Sequence, residues 1–93
     1  MKLPEVPFLI LINHRDESNI IKYQKLLYSL GARSCIGGTK TFVDMVEENE
    51  GIYVSNGKIV SFSNTIKIKR EGGKVYTMKK FDMLQKIQLE FDF

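Results

Sequence analysis

With 93 residues, 43% of them hydrophobic and 11% aromatic, the chain has the size and composition of one small globular domain and not of a disordered segment. A net charge of +3 is too mild to single out a nucleic acid or a membrane as partner. The single cysteine, Cys35, excludes an internal disulfide, so packing alone must hold the fold, as suits the reducing cytoplasm.

Residues Lys2 to Pro7 carry two prolines, which oppose a helix and set an extended lead-in. Phe8-Leu9-Ile10-Leu11-Ile12 is an unbroken apolar run, the pattern of a strand buried on both faces. It is too short for a signal-peptide core or a membrane span. Asn13-His14-Arg15 forms the turn out of it, and a helix is predicted over Asp16 to Leu30. Asp16 is the N-cap, and Glu17 lies near the positive end of the helix. Ile20, Tyr23, Leu26, Leu27 and Leu30 make its apolar face, and Gly31 takes the left-handed position after it.

Ala32 to Ile36 reads as a short extended segment ending at Gly37-Gly38. Between Thr39 and Glu50 a short helix is predicted, because Thr41 and Asp44 have capping-box spacing and Phe42, Met45 and Val46 share a helical face. A strand through Lys40 to Val46 is the alternative. Gly51 to Val54 and Ile59 to Phe62 are β-rich runs joined by Ser55-Asn56-Gly57-Lys58, which predicts a hairpin with a type I′ turn at Asn56-Gly57. Thr65-Ile66-Lys67-Ile68-Lys69 alternates strictly, a strand pattern with one wet face. Glu71-Gly72-Gly73 reverses the chain so that Lys74-Val75-Tyr76 pairs back on it. Thr77 caps a last helix whose covered side is Met78, Phe81, Leu84 and Gln85. Ile87 to Phe93 alternates apolar with polar and predicts a C-terminal strand, able to join this sheet or another protein's.

These elements predict a single α+β domain over residues 1–93. Its sheet is mixed and mainly antiparallel, with about five strands, and the Asp16 to Leu30 helix is the one long helix across one face, with short helices flanking it.

For catalysis the sequence offers little. Gly31, Gly37, Gly38, Thr39 and Lys40 have the wrong spacing and the wrong residue order for a phosphate-binding loop, leaving at most a weak anion nest. His14 and Cys35 are the sole residues of their kinds, expected as a loop histidine and a buried thiol rather than a nucleophile pair, and two such ligands cannot complete a zinc site. The expectation is therefore no enzyme, no cofactor and no metal.

Lys58, Lys67, Lys69, Arg70, Lys74, Lys79 and Lys80 crowd one stretch, interleaved with Phe62 and Tyr76. On a strand Lys67 and Lys69 project to one side, forming a basic strip suited to an acidic protein, a nucleotide or a phosphate backbone. The competing reading is a lysine-coated wet face that protects a sheet edge. Tyr53, Phe62, Lys67, Lys69 and Arg70 are the candidate contact residues.

At the C-terminus, Gln88-Leu89-Glu90-Phe91-Asp92-Phe93 resembles the peptide with which bacterial replication proteins bind the sliding clamp, with Phe91 where Leu is usual. The resemblance implies docking through Gln88, Leu89, Phe91 and Phe93. A looser pattern spans most of the chain: Leu30-Gly31 ending a helix, Gly37-Gly38, the pair Ile52-Tyr53-Val54-Ser55-Asn56-Gly57-Lys58-Ile59, then Val75-Tyr76-Thr77 leading to Phe81. It resembles small bacteriophage accessory proteins, from which it departs by having Ala32-Arg33 where an aromatic residue usually follows the glycine. That resemblance implies a cytoplasmic binding protein acting on host machinery, in the size range of anti-CRISPR and other counter-defence inhibitors. The expected partner is a host defence or replication protein, with no membrane partner and with self-association left open. A nucleotide sponge that sequesters an immune signalling molecule is the rival reading.

Overall fold

The computed structural model describes the backbone of residues 3–91 and the side chains of residues 3–87. In chain order the elements are β1 (Phe8–Leu11), α1 (Glu17–Ser29), β2 (Arg33–Ser34), β3 (Gly51–Val54), β4 (Ile59–Ser63), α2 (Thr65–Arg70), β5 (Lys74–Thr77) and α3 (Met78–Phe91). The strands form one five-stranded sheet in the order β2-β4-β3-β1-β5. Its centre, β4-β3-β1, is antiparallel, and each edge carries a parallel strand, β2 on β4 and β5 on β1. The fold is α+β with a mixed, mainly antiparallel sheet, as the sequence predicts.

The apolar run of β1 has neighbours on both sides and helices on both faces, so Phe8, Leu9 and Ile10 are all fully buried. Between β1 and β3 the backbones approach so closely that a Cβ on Gly51 would overlap the Ile10 carbonyl. Both β1 and β4 are antiparallel to β3, so they run the same way. The crossover β1-α1-β2 moves toward one edge of the sheet and β4-α2-β5 toward the other. Parallel crossovers of one common hand must then place α1 and α2 on opposite faces. Ile20, Tyr23 and Leu27 of α1 do pack with Phe8, Ile10, Ile52, Val54 and Val60, while Ile68 of α2 packs with Leu9 and Tyr53 on the other side. Each large apolar side chain buried in this way contributes roughly 1.5–3 kcal/mol.

The helix ends follow their sequence signals. Asp16 accepts hydrogen bonds from the Asn19 backbone N–H at 3.4 Å and from Asn19 Nδ2 at 2.8 Å, and Gly31 follows α1 with φ +104°. Thr77 Oγ1 accepts from the Lys80 N–H at 3.1 Å at the start of α3. That helix returns to the α1 face, where Phe81 lies 6.0, 6.1 and 6.3 Å from the ring centroids of Phe8, Tyr23 and Tyr76. The Tyr23 hydroxyl donates to the Asp82 carboxylate at 2.8 Å and ties α1 to α3.

Several expectations are corrected. Residues 39–50 are neither helix nor strand, because buried side chains claim their backbone groups: Gln24 brackets Phe42, and the Tyr28 hydroxyl donates to the Lys40 carbonyl at 2.9 Å. The hairpin is present, but its turn is not type I′. Lys58 N–H donates to the Ser55 carbonyl at 2.8 Å, and the left-handed residue is Lys58, at φ 60°, with neither Asn56 nor Gly57 at positive φ.

The predicted strand at Thr65 to Lys69 is helix α2. Asn64 caps it by accepting from the Lys67 N–H at 2.9 Å, and Glu50 accepts from the Thr65 N–H at 3.0 Å. Five alternating residues are too few to distinguish a period of 2 from one of 3.6. With that strand gone, β5 pairs in parallel with β1. The predicted strand from Ile87 is overturned through residue 91, where α3 simply continues; no Gly, Pro or Asn between Met78 and Phe91 offers a stop. Residues 92–93 of that prediction lie outside the described residues. With 14 residues against 13 in α1, α3 also removes the expectation of one long helix.

Candidate partner-binding surface

The basic residues singled out by the sequence gather on α2, which is positioned by one inward side chain. Ile68 is 0% exposed beneath the sheet face that carries Leu9 and Tyr53. At 100° per residue, the direction opposite Ile68 is shared by Ile66 and Arg70, with Lys67 and Lys69 on the two flanks. Ile66 is 64% exposed, and all three cations are exposed around it. The basic last turn complements the negative end of the helix dipole, which gives Lys67, Lys69 and Arg70 a local reason to be there. Ile66 between them is one of six large hydrophobic side chains exposed among the described residues and the one set among clustered cations.

Tyr53 is the support under this surface. It is 9% exposed, its hydroxyl donates to the Glu71 carboxylate just past α2, and Lys67 Nζ stands 5.7 Å from its ring centroid. Burial first, and then the neighbouring Glu71 carboxylate, push its phenol up to about 12. The contact thus fixes α2 to the sheet at both its basic flank and its C-terminal end.

Of the residues named from the sequence, Lys67, Lys69 and Arg70 are brought together, although on a helix and not a strand, so Lys67 and Lys69 fall on different flanks. Tyr53 lies under Lys67. Phe62 is on the opposite face of the sheet, since Tyr53 pairs with Ser61 and Phe62 with Ile52; its ring lies 4.7 Å from Phe42, under residues 39–50. The missed residue is Ile66, which the alternating pattern had placed in the core. Recognising Asn64 as an N-cap would have found it.

Other candidates are dispersed. The Gly37-Gly38 turn does not form a free anion nest, because the Gly37 N–H donates to the Ser34 carbonyl at 3.0 Å and the Ile36 N–H to Ser34 Oγ at 3.1 Å. Cys35 is exposed, contrary to expectation, and follows edge strand β2. His14 follows β1, with β4 and β3 lying between the two strands. Three strand spacings amount to about 14 Å, too far for a thiol–imidazole pair.

The side chains of Gln88, Leu89 and Phe91, and the whole of Phe93, lie outside the described residues. The backbone of the clamp-like segment is helical through Phe91. Among the described residues no three His, Cys, Asp or Glu side chains gather to hold a metal ion, and no helix is long and apolar enough to cross a membrane. No protein-family model matches the sequence, and no curated protein or solved structure shows significant similarity to it.

Proposed function

We propose that this chain is a non-enzymatic binding protein that docks on an acidic partner protein through the outer face of α2. The observation that carries the reading is Ile66, 64% exposed at the centre of Lys67, Lys69 and Arg70. An apolar anchor inside a ring of cations suits a partner whose apolar pocket is rimmed by carboxylates: the pocket desolvates the isoleucine, and the charges steer and orient the encounter. A nucleotide ligand calls for an accessible aromatic platform, and neither Tyr53, under Lys67, nor Phe62, against Phe42, offers one. The resemblance to small bacteriophage accessory proteins supplies the class of partner, a host defence or replication protein in the bacterial cytoplasm, which the chain inhibits by occupying its surface.

The test is affinity capture from bacterial lysate with the parent chain, Ile66→Asp and the double variant Lys69→Glu/Arg70→Glu, followed by titration of the recovered protein. One acidic protein, bound by the parent chain and lost from both variants, with affinity falling as salt rises, is the expected result. Equal capture by all three proteins removes α2 as the interface. Recovery of a nucleotide that survives Ile66→Asp turns the assignment to the sponge reading.

A further inference from the structure

A shallow groove of about 390 Å³ opens at the carboxyl end of β1, lined by Leu11, Ile12, Asn13, His14, Glu47, Asn49 and Glu50. We infer that it is a binding site for an organic cation, a primary ammonium or guanidinium carried on a short apolar stem. Both walls are built into the fold. One is the β1–α1 turn, where the Arg15 N–H donates to Asn13 Oδ1 at 2.8 Å and the Asp16 N–H to the Asn13 carbonyl at 3.0 Å. The other is the end of the irregular segment, held to the sheet because the Ile12 N–H donates to the Glu50 carbonyl at 3.0 Å and the Glu50 N–H to the Ser63 carbonyl at 2.8 Å.

Within this frame the side chains divide by use. Asn13 and Glu50 are spent on the fold, Glu50 accepting from both the N–H and the hydroxyl of Thr65. The His14 imidazole, the Glu47 carboxylate and the Asn49 amide make no hydrogen bond among the described residues, so three polar side chains border one opening that has the half-buried Leu11 as its apolar edge; Ile12, 2% exposed, belongs to the core on the other face of the sheet. Two carboxylates and no lysine or arginine line it, on a chain whose net charge is +3, so the groove's local charge opposes that of the molecule. A metal does not fit, since among the described residues no three ligating side chains come together. A planar guanidinium or an ammonium needs no such convergence: it takes one carboxylate, supplementary acceptors and a surface to cover its methylenes. Glu50 at one end of the groove is held by Thr65 and attracted by Lys69 of α2, so Glu47 is the carboxylate left for a ligand, and its use does not depend on the function proposed for the outer face of α2.

The test is a titration of the ¹⁵N-labelled chain, followed by amide shifts, with two probes: 1,5-diaminopentane for a free amine, and N-acetyl-arginine amide for a side chain presented by a polypeptide. Saturable shifts confined to residues 11–14 and 47–50 are expected with at least one probe, and the tighter one identifies the source. Glu47→Gln should weaken that probe roughly tenfold, the scale of losing a charge-assisted hydrogen bond. Asp44→Asn, an equal charge change on the same segment outside the groove, should leave the affinity unchanged. Shifts that never saturate, shifts spread over the acidic surface, or equal weakening by Glu47→Gln and Asp44→Asn would overturn the site. A thermal melt of each variant confirms that folded protein was titrated.

Discussion

Gln24 reaches across 18 residues of chain to close both backbone groups of Phe42, its Nε2 donating to the Phe42 carbonyl at 2.6 Å and its Oε1 accepting from the Phe42 N–H at 2.9 Å. The side chain is 0% exposed, so it imitates a strand neighbour inside the core and leaves no polar atom of its own unsatisfied. Gln24→Leu keeps the volume but strands two partly buried backbone groups, each costing roughly 1–3 kcal/mol. The expected outcome is a melting temperature lower by about 10 °C or more, at roughly 4–8 °C per kcal/mol for a domain of this size. Gln24→Glu sets a carboxylate against the Phe42 carbonyl inside the core, so at neutral pH it should destabilise at least as much, with the loss shrinking as pH falls and the carboxyl regains a proton to donate. A Gln24→Leu protein as stable as the parent would mean that residues 39–50 are held by other contacts.

How much of this was legible in the sequence depends on how many residues carried each signal. The α1 helix repeats its apolar face over nearly four turns and has a cap at each end, and the unbroken run of β1 has one reading at that length; both fold as expected. Thr65 to Arg70 had only two isoleucines to set a period, so one cap hydrogen bond from Asn64 decides between strand and helix. That choice moves Ile66 from the core to the surface. Residues 39–50 depend on Gln24 and Tyr28 reaching them from α1 and on their own Met45 reaching the core, information that no local window contains.

Two glycines of one hairpin should respond in opposite ways. Gly57 is not in the left-handed region, and an added Cβ meets only Ile59 Cγ1 at 3.6 Å, so Gly57→Ala should change stability by no more than about 0.5 kcal/mol. Gly51→Ala forces a methyl group into the Ile10 carbonyl and should cost several kcal/mol, on the order of the largest single-site losses. Lys58 carries the positive φ, so Lys58→Gly should stabilise by roughly 0.5–1 kcal/mol once the gain in unfolded-state freedom is subtracted. Chemical denaturation of the three variants checks the set. A type I′ turn would instead make Gly57→Ala clearly destabilising and leave Lys58→Gly without benefit.

Alkaline unfolding should be governed by two tyrosines. Burial, reinforced by Asp82 at Tyr23 and by Glu71 at Tyr53, raises both phenols from 10.0 to about 12 in the folded chain. The unfolded chain therefore releases these protons first. Stability from this source is complete below pH 10 and is lost as pH rises through about 12, each tenfold displacement of the ionisation being worth about 1.4 kcal/mol. Urea midpoints measured from pH 8 to 12 should fall steeply above pH 10, and Tyr53→Phe combined with Tyr23→Phe should flatten that slope. Glu71→Gln should bring the Tyr53 ionisation, followed by phenolate absorbance, back toward its ordinary value.

The end of α3 provides the last test, because the helix found there and the strand expected there require opposite results from one truncation. The described contacts that hold α3 to the rest of the fold precede residue 88: Phe81 among Phe8, Tyr23 and Tyr76, and Asp82 with the Tyr23 hydroxyl. A chain ending at Ile87 should therefore stay folded, lose about one turn of helical circular dichroism, and melt within roughly 5–10 °C of the parent, since a single terminal turn of helix adds little by itself. Ending the chain at Thr77 is different in kind. It removes Phe81 from the centre of an aromatic cluster and leaves Phe8 and Tyr23, now 0% and 2% exposed, facing water; that chain should unfold or aggregate. A C-terminal strand would reverse the first result, because residues 87–93 would then fill a place in the sheet and their deletion would expose its edge and core together. Unfolding of the chain that ends at Ile87 would instead mean that the deleted residues carry contacts the fold needs, and that Phe81 and Asp82 do not anchor α3 alone.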